Sequence, residues 1–376
     1  MRSLAFYLPQ FHPIPENDVW WGRGFTEWTT VSRARPLLRG HHQPHLPADL
    51  GFYDLRVPES RAAQATLAAR YGIDGFCYYH YWFEGRRLLE RPFDEVLRSG
   101  QPDFPFCLCW ANETWTRRWD GGDNDVLLHQ TYSAADDLRH IRWLAGAFAD
   151  PRYFRVQGRP LFLVYRVSDL PDPQRTVDVW RRESVRLGAG DPYLCIVHNF
   201  DADRVDPRPL GFDAAVTFAP DWRRLGPAVR ATAGRRALRK AFSRRSVYRT
   251  NRLHDYRSLV EQALSSPRVP YPTYPSVCPG FDNSPRRPSG GATVLLGSSP
   301  SLYEKWVRET CCRLGPRDAE EDLLFVNAWN EWGEGNHLEP CQRWGREYLE
   351  AHERATNEAL RRKGPIPASS ASLTPS

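Results

Sequence analysis

The chain has 376 residues, 41% of them hydrophobic, 13% aromatic and 26% charged, with a net charge of +6. No run of about 18 apolar residues occurs, which excludes a membrane-spanning helix, and the aromatic content can bury a core large enough to exclude disorder as the main state. The positive charge is accompanied by no nucleic-acid-binding motif, so nucleic acid is not an expected partner.

Short apolar runs bounded by breakers predict strands at 4–8, 75–79, 106–110, 161–165, 193–197, 214–218, 274–278 and 323–327. Helical spacing predicts helices at 60–71, 89–98, 134–148, 175–187, 255–265, 301–313 and 345–362. Ser133 is the expected N-cap of the third of these, with Asp136 three residues on. Eight continuous apolar runs alternating with helices imply a parallel sheet covered on both faces. The fold class expected is α/β, a (β/α)8 TIM-type barrel forming one catalytic domain over 1–362. The alternative is a doubly wound open sheet. Against it, Leu8-Pro9-Gln10-Phe11-His12 after the first run is no glycine-rich phosphate loop. Residues 363–376, rich in Pro, Ser and Ala, are expected to be a disordered tail.

The N-terminus moves straight into an apolar segment that ends at Pro9, without a long hydrophobic leader, so a cytoplasmic setting is expected. The eight cysteines form no CxxC pair, and Cys77, Cys107, Cys109 and Cys195 read as buried free thiols. His41, His42 and His45 lack the spacing of a helical zinc motif, so no metal and no cofactor are expected.

In a barrel the residues following each strand converge on one face. Here those residues are polar and aromatic. The candidate substrate-binding set is Tyr7, Gln10, His12, Trp28, Tyr79, His80, Trp82, Trp110, Asn112, Glu113, His198, Asn199, Asp221, Asp282, Asn330 and Trp332. Aromatic rings pack on sugar C–H faces while carboxylates, amides and imidazoles bond hydroxyls, so the set suits a carbohydrate. Trp28, Trp82, Trp110 and Trp332 are expected to line the pocket as platforms. The candidate catalytic pair is Glu331 and Glu334, three apart just after the eighth strand, with Gly333 and Gly335 expected to allow a tight turn. Like charges so placed push one carboxyl up, which gives an acid and a base near neutral pH.

The charge is uneven. Residues 222–257 carry twelve Arg or Lys and one acid, a net +11, against −5 for the rest. The insert expected after the sixth strand, 223–254, interleaves Leu238, Phe242 and Val247 with these charges. It is either a solvated loop or a peripheral contact with an anionic membrane.

Several blocks resemble one family. They are Phe6-Tyr7-Leu8-Pro9-Gln10-Phe11-His12-Pro13, Trp20-Trp21-Gly22-Arg23-Gly24-Phe25-Thr26-Glu27-Trp28 and Gly75-Phe76-Cys77-Tyr78-Tyr79-His80-Tyr81-Trp82-Phe83. Further on are Cys109-Trp110-Ala111-Asn112-Glu113, then Asn327-Ala328-Trp329-Asn330-Glu331-Trp332-Gly333-Glu334-Gly335, with Leu338-Glu339-Pro340 after it. Over residues 3 to about 352 the chain resembles the WbsX-like family, related to glycoside hydrolase family 99. The resemblance implies a (β/α)8 barrel acting on α-mannoside-like linkages with retention. It further implies that Glu331 takes the proton of the sugar 2-hydroxyl, whose oxygen then attacks its own anomeric carbon. Glu334 would protonate the leaving oxygen. Members of the family are often called glycosyltransferases of O-antigen and capsule assembly, which makes an oligosaccharide or a lipid-linked glycan the expected partner. Hydrolysis, transfer to a sugar, and sugar binding without catalysis remain open at this point.

Overall fold

The computed structural model describes residues 1–117, 122–229, 247–314 and 322–363. The eight apolar runs form the barrel strands β1 (Arg2–Tyr7), β2 (Gly75–Phe83), β3 (Phe106–Trp110), β4 (Arg159–Val164), β5 (Tyr193–His198), β6 (Ala214–Thr217), β7 (Thr273–Tyr274 and Ser276–Val277) and β8 (Leu323–Val326). All neighbours are parallel, from β6 through β5, β4, β3, β2 and β1 to β8. The two halves of β7 are separated by Pro275, which has no N–H to give to a ladder. The first half pairs with β6 and the second with β8, so nine parallel segments make a nearly closed barrel.

The strands read as unbroken apolar runs because both faces are covered. Inward side chains fill the barrel, and outward ones meet the helices. Helices occupy Pro58–Arg70, Arg91–Ser99, Ala134–Phe148, Pro173–Arg186, Tyr256–Leu264, Pro300–Arg313 and Glu347–Lys363, close to the predicted ranges. Ser133 accepts a hydrogen bond from the Asp136 N–H, as an N-cap should. The last helix is tied to the first strand, with His352 Nε2 3.2 Å from Ser3 Oγ. Among the described residues no helix is long and apolar enough to cross a membrane.

The loops hold more structure than the periodicity suggested. Short helices Pro15–Trp21 and Glu27–Arg33 lie in the loop after β1. β2 continues to Phe83 and pairs antiparallel with Arg86–Leu88. After β6, a short parallel pair joins Arg252–Asp255 to Thr293–Leu296. Within the basic insert, Val229 and Val247 pack on the small cluster of Leu253, Ala292 and Val294. Leu238 and Phe242 lie outside the described residues, as does the predicted tail 363–376 except for Lys363, which ends the last helix.

Candidate active site

Beyond β8 the chain forms a small hairpin. Asn330–Glu331 pairs antiparallel with Asn336–His337 across the turn Trp332–Glu334. Its position is set from two sides. Asn330 brackets the end of β1, accepting from the Leu8 N–H at 2.7 Å and donating to the Leu8 carbonyl at 3.0 Å. From below, the buried Glu339 accepts from Trp332 Nε1 (2.6 Å), Gln64 Nε2 (2.7 Å) and Tyr53 OH (2.8 Å). Burial pushes the Glu339 carboxyl up to about 7.

At the surface of this hairpin one guanidinium meets three carboxylates. Arg286 donates from Nη2 to Glu331 (2.7 Å), from Nη1 to Glu334 (2.6 Å) and from Nε to Glu27 (2.7 Å). Gln10 Nε2 donates to the other oxygen of Glu27 at 3.0 Å. The two catalytic candidates therefore sit on the two terminal nitrogens of one planar group and face the same space. Gly333 makes the approach feasible. A Cβ there would stand 1.6 Å from Glu27 Oε1 and 2.8 Å from Arg286 Nε. The tight turn expected of both glycines belongs to Gly335 alone, at φ +54°, whereas Gly333 is needed for close approach.

Three carboxylates against one cation leave a surplus of negative charge. Burial pushes Glu331 up to about 8, with Glu334 and Glu27 adding to the rise and Arg286 opposing it. Burial also raises Glu334, again against Arg286. The group therefore retains a proton near neutral pH and can serve as both acid and base.

Glu331, Glu334 and Arg286 open into a cleft of about 950 Å³ at the C-terminal ends of the strands. That volume is at the upper end for a small-molecule site and suits more than one sugar ring. Of the predicted residues, Gln10, Tyr79, Glu113 and Asn199 also line it. Asn199 accepts from Trp222 Nε1 at 2.8 Å and donates to Tyr165 OH. The aromatic walls come from Trp21, Tyr81, Trp115, Tyr165, Trp222 and Phe281.

The other predicted binding residues do not line this cleft, and strand parity explains the largest group. Because β2 continues past Tyr79, Tyr79 and Tyr81 face the cleft, whereas His80 and Trp82 face the helices. His80 Nε2 lies 3.0 Å from His140 Nε2, and the His80 ring stacks on Trp143. Trp82 donates to Asp136 at 3.0 Å, and Trp110 donates to the Trp82 carbonyl at 3.2 Å.

The remaining residues are committed to holding loops. Tyr7 donates to Gln64 at 2.6 Å, behind the barrel wall. His12 is buried, with Nδ1 3.0 Å from the Pro9 carbonyl. Trp28 donates to the Tyr53 carbonyl and packs on Trp332, which itself stacks on His337 at 3.7 Å. Asn112 clamps Arg166 by its amide and carbonyl, both at 2.8 Å. His198 lies 3.1 Å from the Val205 carbonyl, and Asp221 pairs with Arg204 at 2.7 Å. Asp282 binds His41 (2.7 Å) and Gln43 (2.5 Å) beside a separate cavity of about 160 Å³. His42 and His45 stack there, and His45 Nδ1 is 2.9 Å from His337 Nε2. The four-tryptophan platform is thus corrected. Trp28, Trp82, Trp110 and Trp332 support the site from behind, and other aromatics line it.

Sequence reasoning missed Arg286 altogether. In a chain where Lys stands only at 240, 305 and 363, the Arg286-Arg287 pair carried no signal. Glu27 was visible within its block but had no apparent partner.

A family described as glycosyltransferase WbsX matches residues 3–352. Two relatives from Xanthomonas campestris pv. campestris (strains B100 and ATCC 33913), each called uncharacterized protein WxcX, are 47% identical over 357 residues. The matches cover 95% of this chain and 50% of theirs, so the chain spans about half the length of the curated relatives it matches. Among solved structures, a family 99 endo-alpha-mannosidase from Bacteroides thetaiotaomicron, complexed with bis-tris-propane, superposes with a TM-score of 0.56 at 16% identity. That match covers 96% of this chain and 98% of the other. A glycoside hydrolase-like protein gives 0.58 at 12% identity, over 94% and 93%. At such identities the likeness shows the shared barrel. The family match, spanning nearly every barrel element, establishes that the chain belongs to the WbsX glycosyltransferase family.

Proposed function

We propose that the chain is a carbohydrate-active enzyme that cleaves or transfers glycosyl groups, of α-mannoside type, with retention. The observation that carries this reading is the pair Glu331 and Glu334, held on one guanidinium at the mouth of an aromatic-walled cleft. Glu331, ionised, takes the proton of the 2-hydroxyl. The freed oxygen attacks the anomeric carbon of its own ring and breaks the glycosidic bond, while Glu334 gives its proton to the leaving oxygen. The 1,2-anhydro sugar so formed is opened at the anomeric carbon by water or by a sugar hydroxyl, deprotonated by Glu334. Glu331 then returns its proton to O2, and two inversions give net retention. Arg286 keeps the two carboxylates in place and offsets part of their charge.

The test is incubation with defined α-mannosides and with lipid-linked oligosaccharides, with products read by mass spectrometry and anomeric configuration by NMR. Retained products are expected from the wild type. Glu331→Gln and Glu334→Gln should fold normally and lose at least ~100-fold in rate, the scale of general acid–base groups. Full activity in either variant would sink the assignment.

Action at a membrane surface, on glycans used for cell-surface polysaccharide, is part of the same proposal. It is supported by the net +11 of residues 222–257. Co-sedimentation with anionic vesicles should be strong at low salt, fall as salt is added, and disappear when residues 230–249 are deleted. Binding unchanged by the deletion would leave the insert a solvated loop.

A further inference from the structure

The hairpin that carries Glu334 is also held from behind. Phe281 and Asn283 line the cleft, while Asp282 between them lines the cavity of about 160 Å³ at the back of the hairpin. The Asp282 carboxylate accepts from three donors. Oδ1 takes the Ser284 N–H at 2.9 Å, and Oδ2 takes Nε2 of His41 at 2.7 Å and Nε2 of Gln43 at 2.5 Å. The tautomer of His41 is fixed, because its Nδ1 accepts the Leu37 N–H at 2.9 Å and the ring hydrogen therefore stands on Nε2. All three partners are donors, so the group that meets them has to be acceptor-only, as an ionised carboxylate is. Burial alone would raise the Asp282 carboxyl, but the bonds from His41, Gln43 and Ser284 hold it below its usual value.

Two links run from Asp282 to the reacting groups. Its own N–H donates to the Glu334 carbonyl at 2.5 Å. Its Oδ1 fixes the start of the short turn Ser284–Arg286, which carries the guanidinium bonded to Glu331 and Glu334. Gly335 lets the pieces close up, since a Cβ there would stand 3.2 Å from Asp282 Cβ and 3.3 Å from His45 Cε1. The loop after β1, the loop after β7 and the hairpin after β8 thus meet at one side chain. Asp282, His41 and Gln43 are not among the described residues that line the cleft. We propose that Asp282 is a positioning residue for the reaction: held by His41 and Gln43, it sets where Glu334 and Arg286 stand without touching substrate. The proposal rests on the glycan-active reading above and adds to it the part that aligns the acid.

Asp282→Asn is the test, because it keeps the shape and changes only the acceptor set. Whichever way the amide lies, its NH2 meets a donor, His41 and Gln43 on one side or the Ser284 N–H on the other. Two readouts are taken on the full-length chain. Amide hydrogen exchange, followed by mass spectrometry, should quicken over residues 280–287 and 328–336 and stay unchanged over β4. Turnover of the defined α-mannosides, at a temperature where every variant is folded by circular dichroism, should fall ~10–100-fold in kcat with KM unchanged, the scale of a reacting group displaced by up to about 1 Å. Asp282→Asn/Gln43→Glu puts an acceptor opposite the new amide and should recover part of the lost kcat. Gln43→Met, which removes one donor and no charge, should show the same changes more weakly, and it decides the matter if Asp282→Asn does not fold. Wild-type kcat in both single variants, or exchange unchanged over both segments, would overturn the positioning role alone. No turnover of any mannoside by the wild type would overturn the glycan reading, and the exchange result would still decide whether Asp282 holds Glu334 and Arg286 in place.

Discussion

The two faces of β2 carry nearly the same kinds of residue and do different work. On the inner face, Tyr79 and Tyr81 look into a cleft with Glu331, Glu334 and Arg286. On the outer face, His80 and Trp82 join Trp110, His140, Trp143 and Trp180 in a cluster of stacked and edge-on rings. Burial pushes the imidazoles of His80 and His140 well below their usual range, so the outer cluster is held by neutral rings. The inner group differs in having an unbalanced buried charge next to open space. Aromatic and polar composition therefore does not identify a site. A charge that the fold leaves unbalanced, facing a cavity, is the better marker.

Arg286 offers the hardest way to break this contrast. Arg286→Met leaves three carboxylates without their cation, and removing one partner of a buried ion pair costs ~3–5 kcal/mol. Urea denaturation should show that loss near neutral pH, with partial recovery in acid, where the carboxylates protonate. Stability equal to wild type at neutral pH would mean the network contributes nothing.

Glu331 sharpens the contrast through pH. Its carboxyl, raised from 4.5 to about 8, binds a proton in the folded state that the unfolded chain has already released. Its contribution to stability is thus full below about 4.5 and is lost as pH rises through about 8. Activity should run the other way, because the ionised base is needed and kcat/KM should climb toward pH 8 on the acid limb. Glu331→Gln should remove both dependences. A stability slope identical to wild type across that interval would contradict the assignment.

Gly333→Ala should be smaller in effect. The added methyl must displace the Glu27 carboxylate, at the ~1–3 kcal/mol typical of overpacking, and activity should fall with it because Arg286 shifts too. The smallest effect on activity belongs to the outer cluster. Trp82→Phe removes the indole hydrogen bonding to the Asp136 carboxylate, worth ~1.5–3 kcal/mol of stability. Rates of this variant should match wild type. A large rate loss with little loss of stability would mean the outer face takes part in the chemistry.

Much of the fold was legible because barrel strands are buried on both faces and read as unbroken apolar runs, as in Leu161-Phe162-Leu163-Val164. The site was half legible. Glu331 and Glu334 stood out because they follow a buried strand at close spacing. His80, Trp82 and Trp110 misled because the end of a strand cannot be located from an apolar run that shades into aromatic residues. One further strand residue exchanges the inner face for the outer.

By itself, the sequence determined the number and order of the barrel strands and of the long helices that cover them, the carboxylate pair and the family blocks, since these depend on local periodicity and on residues close in the chain. Only the tertiary structure decided which aromatic rings face the cleft, because that depends on where each strand stops. Only the tertiary structure brought Arg286 to Glu27, Glu331 and Glu334, which lie 259 residues away in one case and 45 and 48 in the others. A charge network assembled across such separations leaves no local pattern. It exists because the loops after β1, β7 and β8 end on the same face of one barrel, where a glycine leaves room for them to meet.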